Sequence, residues 1–206
     1  IWTYRDLTIN GGNITIGKDI DNSRWNTGLY SNAGSISVVG EASFDVTATW
    51  SAIYASGGKI TLAGEGNKKI LINKEGKNFQ ADGIRAGGGE VDISGVDSPD
   101  KGKVTCLFSN SGGGFDTAIF AKKQIKIHSK ADVDVSEKIS SSFADSSGSP
   151  AVEISGSKVK TTLIDVGTVS FIKILDSNVT AATTLSYPAQ TTVSKKLEIA
   201  GKSTVY

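Results

Sequence analysis

A fixed step of seven residues between apolar positions recurs along the chain while the repeat length varies, and this pairing narrows the possible folds more than any other feature. Leu29 to Ile36, Ile53 to Ile60, Ile84 to Val91 and Val152 to Val159 are all seven apart, and Ile119 to Ile125 is six. Leu7 to Ile14 and Ile172 to Val179 repeat the seven. The starts Leu7, Leu29, Ile53, Ile84, Ile119, Val152, Ile172 and Leu197 lie 22, 24, 31, 35, 33, 20 and 25 residues apart. Two short strands joined by an invariant corner stay in register, while another corner absorbs insertions. Apolar residues alternate with period two around each step, and a third alternating run (Phe44/Val46, Ile70/Ile72, Val104/Cys106, Val133/Val135) completes most units. An antiparallel sandwich also has many short strands, but it does not predict a constant step.

The pattern predicts an all-β fold: a right-handed parallel β-helix of about seven to eight three-strand coils. It forms one domain over residues 1–206, with 183–206 irregular or capping the last coil. Coils stack about 4.8 Å apart, with isoleucine and valine columns and a narrow column of Ser31, Ala55, Ala86 and Ala121 inside. The corners Asn32-Ala33-Gly34, Ser56-Gly57-Gly58 and Gly87-Gly88-Gly89 are expected to use glycine for positive φ. Insertions at 73–82, 107–117 and 136–150 are placed just before the next coil's first strand, where a binding edge gathers.

Charge and rare residues exclude several functions. With 22 basic against 21 acidic residues there is no field for a nucleic acid backbone, and no apolar run is long enough to span a membrane as a helix. The chain contains no Met, so Ile1 is expected to be the edge of a mature or excised piece of a larger protein. The one histidine, His128, alternates away from Ile125 and Ile127 and reads as a solvent-facing strand residue. Cys106 shares the inward face of Val104 and reads as a small hydrophobe. Asp132 and Asp134 face outward near Lys101 and Lys103, which suits cross-strand charge pairing. Calcium would need more converging oxygens, so no metal or other cofactor is expected.

On this coil pattern the chain resembles the right-handed parallel β-helix proteins of the pectate-lyase-like superfamily, in particular the non-catalytic members displayed on bacterial surfaces. The resemblance implies that function sits on the first strand and the loops leading into it. The outward first-strand column reads Tyr30, Tyr54, Arg85, Phe120, Glu153, Lys173. The superfamily's hydrolases use closely paired aspartates; no Asp-Asp pair occurs here, so no catalytic residue carries over.

The first four members of that column have two readings. They form a flat platform for sugar rings, with Arg85 holding a carboxylate or hydroxyl, or a ladder that only stabilises the sheet, with Arg85 over a ring. A second aromatic series, Trp2, Trp25, Trp50, Phe79 and Phe115, precedes the first strands and either plugs the interior or widens the platform. The expected function is therefore a non-enzymatic, extracellular or cell-surface module binding polysaccharide or a surface protein through Tyr30, Tyr54, Arg85, Phe120, Trp25 and Trp50. The rivals are a calcium-dependent lyase or hydrolase acting through Asp82, Asp116, Arg85 and Glu153, and a spacer that binds nothing.

Overall fold

The computed structural model describes residues 1–17, 26–73, 80–109, 116–144, 148–167, 170–181 and 197–206. Its strands stack into three wholly parallel sheets. Sheet I contains Trp2–Thr3, Thr27–Ser31, Ser51–Ala55, Asp82–Ala86, Thr117–Ala121, Lys138–Ser141 and Ile164–Val166. Sheet II contains Leu7–Asn10, Ile36–Val39, Ile60–Leu62, Val91–Ser94, Ile125–His128, Val152–Ser155, Ile172–Leu175 and Leu197–Ala200. Sheet III contains Asn13–Ile16, Ser43–Ala48, Lys68–Ile72, Val104–Phe108, Asp132–Val135, Lys158–Thr161, Asn178–Ala181 and Thr204–Val205. The chain visits the sheets in the order I, II, III on each of seven turns, and Leu197–Ala200 and Thr204–Val205 add a further rung to sheets II and III, which makes a parallel β-helix of about eight coils. Among the described residues there is no helix.

Alternation decides what is inside. In sheet I, Leu29, Ile53, Ile84, Ile119, Ile139 and Ile164 stand one above another, and all are buried. Beside them runs the predicted narrow column Ser31, Ala55, Ala86, Ala121, continued by Ser141. Burying each isoleucine contributes roughly 1.5–3 kcal/mol, so the shaft is the main source of stability. Cys106 lies within it, fully buried, and burial pushes its thiol far above the ordinary range.

Two expectations need correction. The seven-residue step occurs at two different corners: Leu29–Ile36 crosses from sheet I to II, whereas Leu7–Ile14, Val152–Val159 and Ile172–Val179 cross from II to III. Glu153 and Lys173 therefore leave the Tyr30 column, which continues instead through Ser140 and Asp165. The insertion at 136–150 is not a loop before a first strand, because it contains the sheet I strand Lys138–Ser141. Its inward Ser141 replaces the alanine of earlier coils and donates its hydroxyl to the Lys123 carbonyl at 2.7 Å, so a polar residue is tolerated inside. At the coil start expected near Leu197, residues 197–206 add rungs to sheets II and III, while 183–196 lie outside the described residues.

The glycine rule is also different from expectation. Among the described residues, positive φ in glycine falls mostly at the II-to-III corner, at Gly11, Gly12, Gly40, Gly64, Gly102, Gly156 and Gly201, with Gly17 and Gly148 at other corners. At the I-to-II corner Gly58 has ordinary φ, and what it supplies is the absence of a side chain. A Cβ there would press on the Gly34 carbonyl and come within 2.6 Å of Ser35 N. Glycines at this corner let successive coils approach.

Outward on sheet II, Asp92, Lys126, Glu153, Lys173 and Glu198 occupy successive rungs. The signs alternate, and Lys173 Nζ lies 3.5 Å from Glu153. Replacing Lys173 by Glu puts three acids on neighbouring rungs and is expected to lower stability by about 1 kcal/mol. The loss should shrink at high salt; urea midpoints at two ionic strengths check both parts.

Candidate functional site: the outer face of sheet I

Because Leu29 and Ile53 point inward, strand alternation sends Tyr30 and Tyr54 outward. Register places Trp2 against Tyr30, Tyr30 against Tyr54, Tyr54 against Arg85 and Arg85 against Phe120. Trp2 is thus a member of the row, and at 60% exposure it does not plug the interior. Tyr30, Tyr54, Arg85 and Phe120 are half-buried. Trp50 is half-buried as well, with its ring edge-on to Tyr54 at 5.7 Å and 89°, so it flanks the row. Trp25, Phe79 and Phe115 lie outside the described residues.

The rings do not make the flat platform expected. Trp2 and Tyr30 are parallel, 6.4 Å apart and 6° from coplanar orientation, but Tyr30 and Tyr54 meet at 68° and 5.3 Å. The quadrupoles of neighbouring rings favour such edge-to-face contacts. The outcome is a ridged surface offering both ring faces and ring edges. Tyr30 holds its hydroxyl on Asn32 Oδ1 at 2.9 Å, which fixes the corner beside it.

Arg85 sits between two rings, 4.6 Å from the Phe120 centroid and 5.8 Å from that of Tyr54. Its Nη1 donates to Asp82 Oδ2 at 2.7 Å. One nitrogen is therefore anchored while the rest of the guanidinium fork lies among the rings, an arrangement that both stiffens the sheet and keeps donors on the face. Asp82 is only 2% exposed, and its Oδ1 has no hydrogen-bond partner among the described residues. Burial raises its pKa against the lowering effect of Arg85, and the charge of Asp116 adds to the rise. Asp116 is 2% exposed and accepts the Ala81 N–H at 3.0 Å. Of the residues named for a lyase or hydrolase, Asp82, Asp116 and Arg85 converge, whereas Glu153 is on sheet II. No group of acidic, His or Cys residues fit to hold a metal is found among the described residues.

Charge pairing on sheet III is as expected: Lys160 reaches Asp134 at 3.4 Å, and Lys103 and Lys158 each stand 4.0 Å from Asp132. His128 faces outward as predicted, yet it is not idle. Its Nε2 lies 2.9 Å from Asp92 Oδ1 and its Nδ1 2.8 Å from Ser129 Oγ. Asp92 and His128 are 36 residues apart, and only the register of Ser94 with His128 brings them together. That register cannot be read from spacing, so this cluster had no signal in the sequence.

Comparison with protein-family models, with curated proteins and with solved structures finds no match to this chain.

Proposed function

We propose that this β-helix is a binding module of a bacterial extracellular or cell-surface protein, and that the outer face of sheet I holds polysaccharide without cutting it. The observation that carries this reading is the row Trp2, Tyr30, Tyr54, Arg85, Phe120 on one rigid sheet, flanked by Trp50. Rings offer faces to the C–H surfaces of sugars, and the Arg85 fork is suited to a carboxylate or a pair of hydroxyls. A chain with successive sugar units would lie along the helix axis, one contact per coil or two. The burial of Asp82 and Asp116 supports holding rather than cleavage, since an acid or base must reach the bond it works on. The likeness of the coil pattern to the pectate-lyase-like superfamily points the same way for ligand class only.

Affinity electrophoresis through gels containing pectin, alginate or neutral glucans tests the reading. Each ring contact is worth on the order of 1 kcal/mol. The Tyr30→Ala/Tyr54→Ala double variant is therefore expected to bind roughly 10- to 100-fold more weakly than the parent. Arg85→Gln should lose acidic polysaccharides before neutral ones. A parent chain that no polysaccharide retards, or a double variant that is retarded equally, overturns the proposal; the first result would favour a spacer.

A further inference from the structure

We propose that Asp92, His128 and Ser129 form an acyl-transfer triad on the II-to-III edge of the helix, with short-chain acyl esters as its substrates. The site lies on a different sheet from the ring row, and its case does not depend on glycan binding.

The hydrogen-bond chain runs in one direction. Asp92 Oδ2 accepts from Lys59 Nζ at 2.6 Å, which fixes the carboxylate, and Oδ1 faces His128 Nε2. Partial burial pushes the Asp92 carboxyl upward, but the hydrogen bonds and charges of Lys59 and His128 outweigh it and hold the group below the usual range. An ionised carboxylate only accepts, so in the neutral imidazole Nε2 carries the hydrogen and Nδ1 is bare. Nδ1 then accepts from Ser129 Oγ. Orienting acid, base and nucleophile are thus in sequence and within hydrogen-bond reach.

Backbone conformation supplies an independent observation. Ser129 and Lys130 have φ of 56° and 62°, in a tight turn closed by Ala131 N–H donating to the His128 carbonyl at 3.3 Å. The first coil makes the corresponding corner with Gly11 and Gly12, both at φ 83°, and the corners of other coils place Gly40, Gly64 and Gly102 in the left-handed region. A single side-chain-bearing residue, Asp176 at φ 48°, occupies it in a later coil, whereas here two successive ones do. Such conformations persist where the residue is needed more than the relaxed backbone. The turn exposes the Ser129 hydroxyl at the mouth of a cavity of about 250 Å³ lined by Lys126, His128, Ser129, Glu153 and Ser155. That volume admits an acetyl-sized group, and Lys126 is among the residues that line it.

The chemistry closes on itself. Ser129 Oγ adds to the ester carbonyl carbon as its proton passes to His128 Nδ1, and the imidazolium is stabilised by Asp92. The carbon–oxygen bond to the alcohol breaks, and the alcohol leaves with that proton. Water then adds to the acyl-serine, giving its proton to His128, and the carboxylic acid departs as Ser129 recovers its hydrogen.

A fluorescent fluorophosphonate, with p-nitrophenyl acetate as the turnover substrate, tests this on the whole chain. The parent is expected to take one label, mapped to Ser129 by peptide mass. His128→Gln should label and hydrolyse at least 100-fold more slowly, and Asp92→Asn at least 10-fold. Ser129→Gly relieves the left-handed backbone and should melt at or above the parent temperature while taking no label, which separates loss of chemistry from loss of fold. An unlabelled parent, label spread over several surface serines, or a His128→Gln chain that reacts at the parent rate overturns the proposal.

Discussion

A single methyl group added at position 58 is expected to destabilise the helix by about 3 kcal/mol, whereas the same change one residue earlier should shift it by less than about 1 kcal/mol. The two glycines are neighbours in one corner and neither has positive φ. They differ in what lies beneath. A Cβ on Gly57 would meet Ala33 O at 3.3 Å, a tight contact that a small shift relieves. A Cβ on Gly58 would be driven into the Gly34 peptide, and Gly89 in turn packs on Gly58 O. Peptides cannot rotate away as side chains do, so the coils must part locally and loosen the ladder hydrogen bonds on both sides, such as Ile36 N–H to Lys59 O at 2.9 Å. Thermal and urea denaturation of Gly57→Ala and Gly58→Ala, measured side by side, distinguish close stacking from backbone freedom. Equal stability of the two variants would remove the stacking argument.

The shaft was legible in the sequence because it depends on two local regularities. Period-two alternation says which residues point inward, and a constant step says that they stack; Leu29, Ile53, Ile84 and Ile119 satisfy both. The assignment of runs to sheets was less legible, because corners of similar length occur at two of the three edges and aliphatic residues do not record which edge they flank. Val152 and Ile172 look like Ile119 but stack on Ile125 in sheet II. Lys138–Ser141 offers one aliphatic residue among serines and had no visible period. The ring row was legible from Tyr30 to Phe120, since outward positions follow once the shaft is fixed. Ring tilt was not, because it is set by neighbours across strands rather than by the strand itself. The Asp92–His128–Ser129 cluster lay deeper still: it needs the register of two strands and the twist of one turn.

The lysine at position 68 stands where alternation calls for an aliphatic residue, in register between Phe44 and Val104 and 1% exposed. Its stem fills the column, and its ammonium turns back to the corner it follows, donating to Gly66 O at 2.5 Å, Ala63 O at 2.8 Å and Gly64 O at 3.4 Å. Those carbonyls belong to a corner bent by Gly64 at φ 86°, so the lysine satisfies acceptors that the bend leaves without strand partners. Lys68→Ala is expected to cost about 3–5 kcal/mol, from the lost stem and the orphaned carbonyls together. Lys68→Met restores the stem alone and should recover part of that loss. The charge itself works against the fold: burial lowers the Lys68 pKa from 10.5 to about 8. Between those values the unfolded chain holds a proton that the folded chain has released, so stability contributed by this group rises with pH. Below about pH 8 the full cost of burying the ammonium is present, and it fades as pH climbs towards 10.5. Relative to Lys68→Met, whose side chain does not titrate, the parent should therefore gain about 2–3 kcal/mol between pH 7 and pH 10. Urea denaturation of both chains across that range measures the difference and cancels the other lysines and tyrosines. A difference that stays level, or falls with pH, would mean that the three carbonyls hold the ammonium charged as firmly as water does.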